Sequence, residues 1–119
     1  MIKAYKLYTD EDGNSQFQAG SILENVFTQV KTLHFKETAP SSVYDWHTAP
    51  NTQYVLTLTG TLEFTTSLGE TFTLNPGEVL IATDTTGAGH KWRLLGDQPW
   101  KRAYAVFAQD TEINFVADL

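Results

Sequence analysis

Three histidines, His34, His47 and His90, are the side chains of this chain best suited to chemistry near neutral pH, and no cysteine accompanies them. Imidazole either coordinates a divalent transition ion or moves a proton. Without thiols, disulfides, thiolate zinc sites and cysteine nucleophiles are excluded, and a metal could be held only by imidazole, carboxylate, amide or water. His47 heads the run His47-Thr48-Ala49-Pro50-Asn51-Thr52-Gln53, and His90 closes Gly87-Ala88-Gly89-His90. His34 lies in Val30-Lys31-Thr32-Leu33-His34-Phe35-Lys36, where its neighbours two positions away, Thr32 and Lys36, give it no clearly apolar face.

The elements that must position these groups are strands. Helical periodicity is weak throughout, whereas Thr, Val, Tyr and Phe recur in short runs separated by Gly, Pro, Asn and Asp. Strands are expected at 2–8, 16–19, 26–36, 42–46, 53–59, 61–66, 70–74, 79–82, 91–95, 100–108 and 112–116. That many short strands in 119 residues predict a single all-β domain, a sandwich or barrel, large enough to fold without staples. Gly60 and Ser67-Leu68-Gly69 read as tight hairpin connections, and Asp84-Thr85-Thr86-Gly87-Ala88-Gly89 as a longer, flexible loop delivering His90 to a strand. From Gln53 onward, Gln53, Val55 and Thr57 share one face of their strand, and Tyr54, Leu56 and Leu58 the other.

The net charge of −6, with eight Lys and Arg spread along the chain, opposes a phosphate backbone or an anionic lipid surface. Nucleic acid and membrane are therefore not expected as partners. The segment Met1-Ile2-Lys3-Ala4-Tyr5-Lys6 has no apolar signal-peptide core, and no stretch reaches the roughly 20 apolar residues of a helical membrane span, so a soluble cytoplasmic protein is expected. Lys91, Arg93, Lys101 and Arg102, interleaved with Trp92 and Trp100, read first as an exposed strand face and second as a place for an anionic small molecule. Asp10-Glu11-Asp12-Gly13-Asn14 lacks the downstream glutamate of a calcium loop and reads as a solvated turn. Ser41 and Ser42 sit near His47 and Asp45, but no nucleophile elbow supports a hydrolase triad.

The two histidine motifs, with Gly69-Glu70-Thr71-Phe72-Thr73-Leu74-Asn75-Pro76-Gly77-Glu78 between them, resemble the cupin family over residues 45–95. His47 stands at the first histidine position of the cupin pattern and Ala49 where a second is expected. Gln53 takes the glutamate position with Gly60 in register, and His90 the last histidine position with Gly87 three before it. The resemblance implies a cupin-type jelly roll, a double-stranded β-helix barrel. It also implies a metal set of His47, Gln53 and His90, with His34 the candidate to stand in for the ligand missing at Ala49. Val55, Thr57 and Trp92 would line the pocket with His34. Iron, zinc, nickel or manganese would suit such a set, although Gln53 offers a neutral carbonyl where a carboxylate is usual.

Two functions follow from that resemblance. One is a metal-dependent oxygenase, isomerase or lyase acting on a small organic molecule in the barrel. The other is a metal-free binding or sensor protein, which the substitutions at Ala49 and Gln53 favour. A homodimer is expected, since similar proteins are often dimeric and the aromatic-rich strand 2–8 could pair across an interface.

Overall fold

In the computed structural model, which describes residues 1–119, the chain forms eleven strands and no helix. They are β1 (Ile2–Thr9), β2 (Ser15–Ile22), β3 (Val30–Thr38), β4 (Val43–His47), β5 (Gln53–Thr59), β6 (Thr61–Thr66), β7 (Thr71–Leu74), β8 (Val79–Ala82), β9 (His90–Leu95), β10 (Trp100–Phe107) and β11 (Val116–Ala117). A seven-stranded sheet has the order β11-β2-β1-β8-β5-β10-β3, and a four-stranded sheet the order β4-β9-β6-β7. Only β1 and β8 run parallel. The two sheets share no strand, so the architecture is a two-sheet all-β sandwich, an arrangement consistent with a jelly roll, rather than a closed barrel.

The inward faces alternate as the pleat requires. Leu7, Val55 and Leu80 from the larger sheet meet Leu62, Phe64, Phe72, Leu74, Trp92 and Leu94 from the smaller. Phe64 and Phe72 stack with ring centroids 5.1 Å apart. Burying each such side chain contributes about 1.5–3 kcal/mol.

Several expectations about connections are corrected. Gly60 does not close a hairpin, because β5 and β6 belong to different sheets. It turns the chain from one layer to the other at φ +96, with Pro99 O and Trp100 Cα each 3.0 Å from where a Cβ would stand. Of the expected strand at 112–116 only Val116 pairs, in β11 with Ala117. Ile113 and Phe115 instead pack on the outer face of the larger sheet, over Tyr54, Ile81 and Ala105, and the Tyr54 hydroxyl donates to Asn114 O at 2.9 Å. Nor can β1 pair across a dimer, since β2 and β8 occupy both of its edges. Asp10-Glu11-Asp12-Gly13-Asn14 is the β1–β2 turn, its Asp10 carboxylate accepting from the amides of Asp12 and Asn14.

Candidate functional site

A cavity of about 550 Å³ opens between the sheets. On the four-stranded side stand His47 and His90, directly opposite each other in the β4–β9 ladder. That pairing depends on a bulge. Between Tyr44 and His47 lie two residues of β4, whereas their partners Trp92 and His90 are separated by one. The extra residue reverses the pleat, so His47 shares the cavity face with Tyr44, where strict alternation would turn it away. The imidazole rings are 4.5 Å apart at a steep angle, and Tyr44 lies 3.9 Å from His47.

Gly89 permits this approach. Its φ is +72, and a Cβ there would collide with the carbonyl group of His47. No residue with a side chain fits without moving β4 away from β9.

Each histidine is oriented through Nδ1. His47 Nδ1 lies 2.7 Å from Asp45 O, and since a carbonyl only accepts, this nitrogen carries the hydrogen. His90 Nδ1 lies 2.5 Å from Asp84 Oδ2, so a hydrogen is shared between them. Asp84 is fully buried, and its Oδ1 is the one polar side-chain atom wholly shut off from solvent that has no partner. The carboxylate is therefore directed wholly at His90, and with Nδ1 of each ring so engaged, Nε2 is the nitrogen left for a ligand. Burial pushes the His47 pKa below the usual histidine range, and neighbouring His90 adds to that, while the Asp45 carbonyl and Asp84 oppose it.

The loop carrying Asp84 is not free. Thr83 N and Oγ1 both donate to Leu7 O, Ala49 N donates to Asp84 O, Ala88 N to Gly13 O, and Ser15 Oγ to Gly89 O at 2.7 Å. What composition suggested was a flexible segment is a strapped one.

On the seven-stranded side, β5 and β10 turn Gln53, Val55, Tyr104 and Arg102 inward, joined by Lys36 and His34 of edge strand β3. Gln53 is buried, and its amide lines the cavity wall with no protein partner. His34 is exposed and stacks on Tyr104 at 4.9 Å across the ladder from it, on the sheet opposite His47 and His90. Trp92 and Trp100 meet edge to face at 4.9 Å and both line the cavity. Thr57 faces inward but does not line the cavity, because the Trp100 indole covers it and donates Nε1–H to its hydroxyl at 3.2 Å.

Arg102 is nearly inaccessible at 2 % exposure. Its guanidinium lies 3.7 Å over the Trp100 ring, with Nε donating to the Tyr104 hydroxyl and Nη1 to Thr38 Oγ1 and Trp100 O. The basic cluster is thereby divided. Lys101 and Arg93 point to solvent, Arg93 paired with Glu63, Lys91 sits 5.0 Å over Trp46, and Arg102 alone enters the cavity. Ser42 lines the cavity too, but its hydroxyl donates to Ala39 O and makes no triad.

Sequence reasoning passed over Asp84 and underrated Arg102. A carboxylate immediately after the apolar strand Val79–Ala82, and the alternation Trp100, Arg102, Tyr104, were the available signals.

No group of three His, Asp or Glu gathers in a metal-binding arrangement. No helix is long and apolar enough to cross a membrane. No protein-family model matches the chain, and no curated protein matches it significantly. Among solved structures, the protein NMB1881 from Neisseria meningitidis is similar with a TM-score of 0.46 and 14% identity, covering 73% of this chain and 88% of that one.

Proposed function

We propose that this chain is a cupin-type protein that binds a small organic molecule between its sheets, with His47 and His90 receiving a polar group of that molecule. The observation that carries this reading is the pair of imidazoles fixed through Nδ1 beside a cavity of about 550 Å³, which is the size of a small-ligand site. Nε2 of each ring can accept a hydrogen bond, and His90, backed by buried Asp84, can also take a proton and hold the resulting charge. Two-sheet all-β architecture supports the cupin reading, and the double-stranded β-helix is its finer form.

Fragment screening followed on the imidazole nitrogen resonances tests this. Both rings should show Nδ1–H tautomers, and cavity-sized fragments should move the Nε2 signals of His47 and His90. A screen whose binders all leave those signals unmoved would overturn the reading.

A second reading is favoured by the same orientation, since metal-ligating histidines also carry their second nitrogen on an oxygen acceptor. His47 Nε2, His90 Nε2 and the Gln53 amide oxygen would hold a divalent ion that prefers imidazole, such as zinc, nickel or iron. Such an ion would supply Lewis acidity beside the ligand. The set fits in its nitrogen donors and is weak in charge, since Asp84 is committed to His90 and Gln53 is neutral. Mass-spectrometric metal content of protein purified without an affinity tag should then approach one ion per chain and fall in His47→Ala and His90→Ala. An empty wild-type protein that also binds no added metal would eliminate this reading.

A further inference from the structure

We infer that the ligand is an organic acid, and that Arg102 with Lys36 forms its carboxylate subsite on the sheet opposite the histidines. The inference rests on the small-molecule reading of the cavity and specifies the ligand's charge.

Three observations carry it. First, Arg102 is a buried cation without a counter-charge: the carboxylates of Asp84 and Glu63 are engaged by His90 and Arg93, and no carboxylate lies within 4.0 Å of Arg102. Burying a charge without a partner is costly, so an uncompensated guanidinium in a cavity calls for an anion. Second, its donors are divided. Nε and both hydrogens of Nη1 are taken by Tyr104, Thr38 and Trp100, and these bonds with the Trp100 stack hold the group rigidly. Nη2 has no protein acceptor, which leaves two donors pre-aimed for a ligand without further loss of side-chain freedom.

Third, the sign of the cavity opposes that of the molecule. The chain has 14 acidic and eight basic residues, yet no Asp or Glu lines the cavity, whereas Lys36 and Arg102 both do. Lys36 stands directly across the β3–β10 ladder from Arg102, on the same face and nearer solvent. It can supply the second contact that Arg102, with Nη1 and Nε engaged, cannot make as a two-nitrogen fork. Tyr44, Trp92 and Trp100 line the same cavity, matching an acid with an apolar or aromatic body.

The test is calorimetric titration with cavity-sized organic carboxylates, each matched to its primary amide, and with inorganic phosphate. It is done on the wild type, Lys36→Gln and Arg102→Gln, with circular dichroism to verify folding. At least one acid should bind about tenfold or more tightly than its amide, as a charge-assisted bond to a buried guanidinium provides. Arg102→Gln should erase that preference. Lys36→Gln, at an exposed position where folding is not at stake, should weaken acid binding about threefold to tenfold. Amides binding as tightly as acids would overturn the inference and leave the small-molecule reading standing. Phosphate binding more tightly than every carboxylate would overturn the choice of a carboxylate. If neither acids nor amides bind, both readings fall together.

Discussion

The two walls of the cavity treat buried charge in opposite ways. On the four-stranded sheet the buried charge is engaged within the protein: the Asp84 carboxylate, wholly buried, lies 2.5 Å from His90 Nδ1. On the seven-stranded sheet the Arg102 guanidinium is bonded to a hydroxyl of Thr38, a carbonyl of Trp100 and the Tyr104 phenol, all neutral. A charge engaged by a group of the protein itself serves to orient a side chain. A charge left unbalanced in a cavity is a binding determinant, because only something entering from outside completes it.

The contrast can be broken most severely at Asp84. Asp84→Ala should cost about 3 kcal/mol in urea denaturation, as expected for removing a charged acceptor and leaving the buried His90 Nδ1–H unpaired, and should randomise the His90 tautomer. A loss below about 1 kcal/mol would mean that the pair is not holding the wall.

Gly89→Ala comes next. It combines a left-handed φ with a clash against the His47 carbonyl group, so about 2–3 kcal/mol should be lost and the His47 and His90 resonances should shift together. If the variant melts like the wild type with unchanged imidazole signals, the close β4–β9 approach is not required.

On the opposite wall the effect should be smaller. Thr38→Val removes one neutral acceptor from Arg102 while two others remain, which should cost about 1–2 kcal/mol and loosen the guanidinium. Stability within error of wild type would show that the Thr38 bond does not restrain it.

The smallest expected effect is on pH dependence. Since burial holds the His47 pKa below its unfolded value, the unfolded chain takes up a proton that the folded chain refuses as pH falls below about 6.5. Stability should therefore decline with acidification from that point down to the folded-state pKa and level off below it for this group. The urea midpoint of His47→Gln, compared with wild type across that range, should lack this component. Parallel curves would dismiss it.

Much of the scaffold was legible because strand signals are local. The run 53–59 and the run 79–82 coincide with β5 and β8, and the alternation that turns Gln53, Val55 and Thr57 to one side follows from the pleat alone. Local signals misled where long-range packing decided. Gly60 has the positive φ of a hairpin glycine, but it is a corner between sheets, and that difference lies in which strands β5 and β6 pair with. Residues 112–116 have strand-like composition, yet Ile113 and Phe115 gain more by covering Tyr54 and Ile81 than by extending a ladder.

The site divides along the same line. His47, Gln53 and His90 stand out by type and spacing, whereas Asp84 and Arg102 do not, because an aspartate in a loop and an arginine beside Lys101 are ordinary surface residues until the fold buries them. By itself the sequence determined an all-β chain with no thiol chemistry, an acidic surface and a few imidazoles, since these depend on composition and on a period of two. Only the tertiary structure decided that a β4 bulge and Gly89 bring two of those imidazoles together, that Asp84 lies behind one of them, and that Arg102 faces them without a counter-charge. Each of these depends on contacts between residues far apart in the chain, and on the burial that makes an unpaired charge expensive.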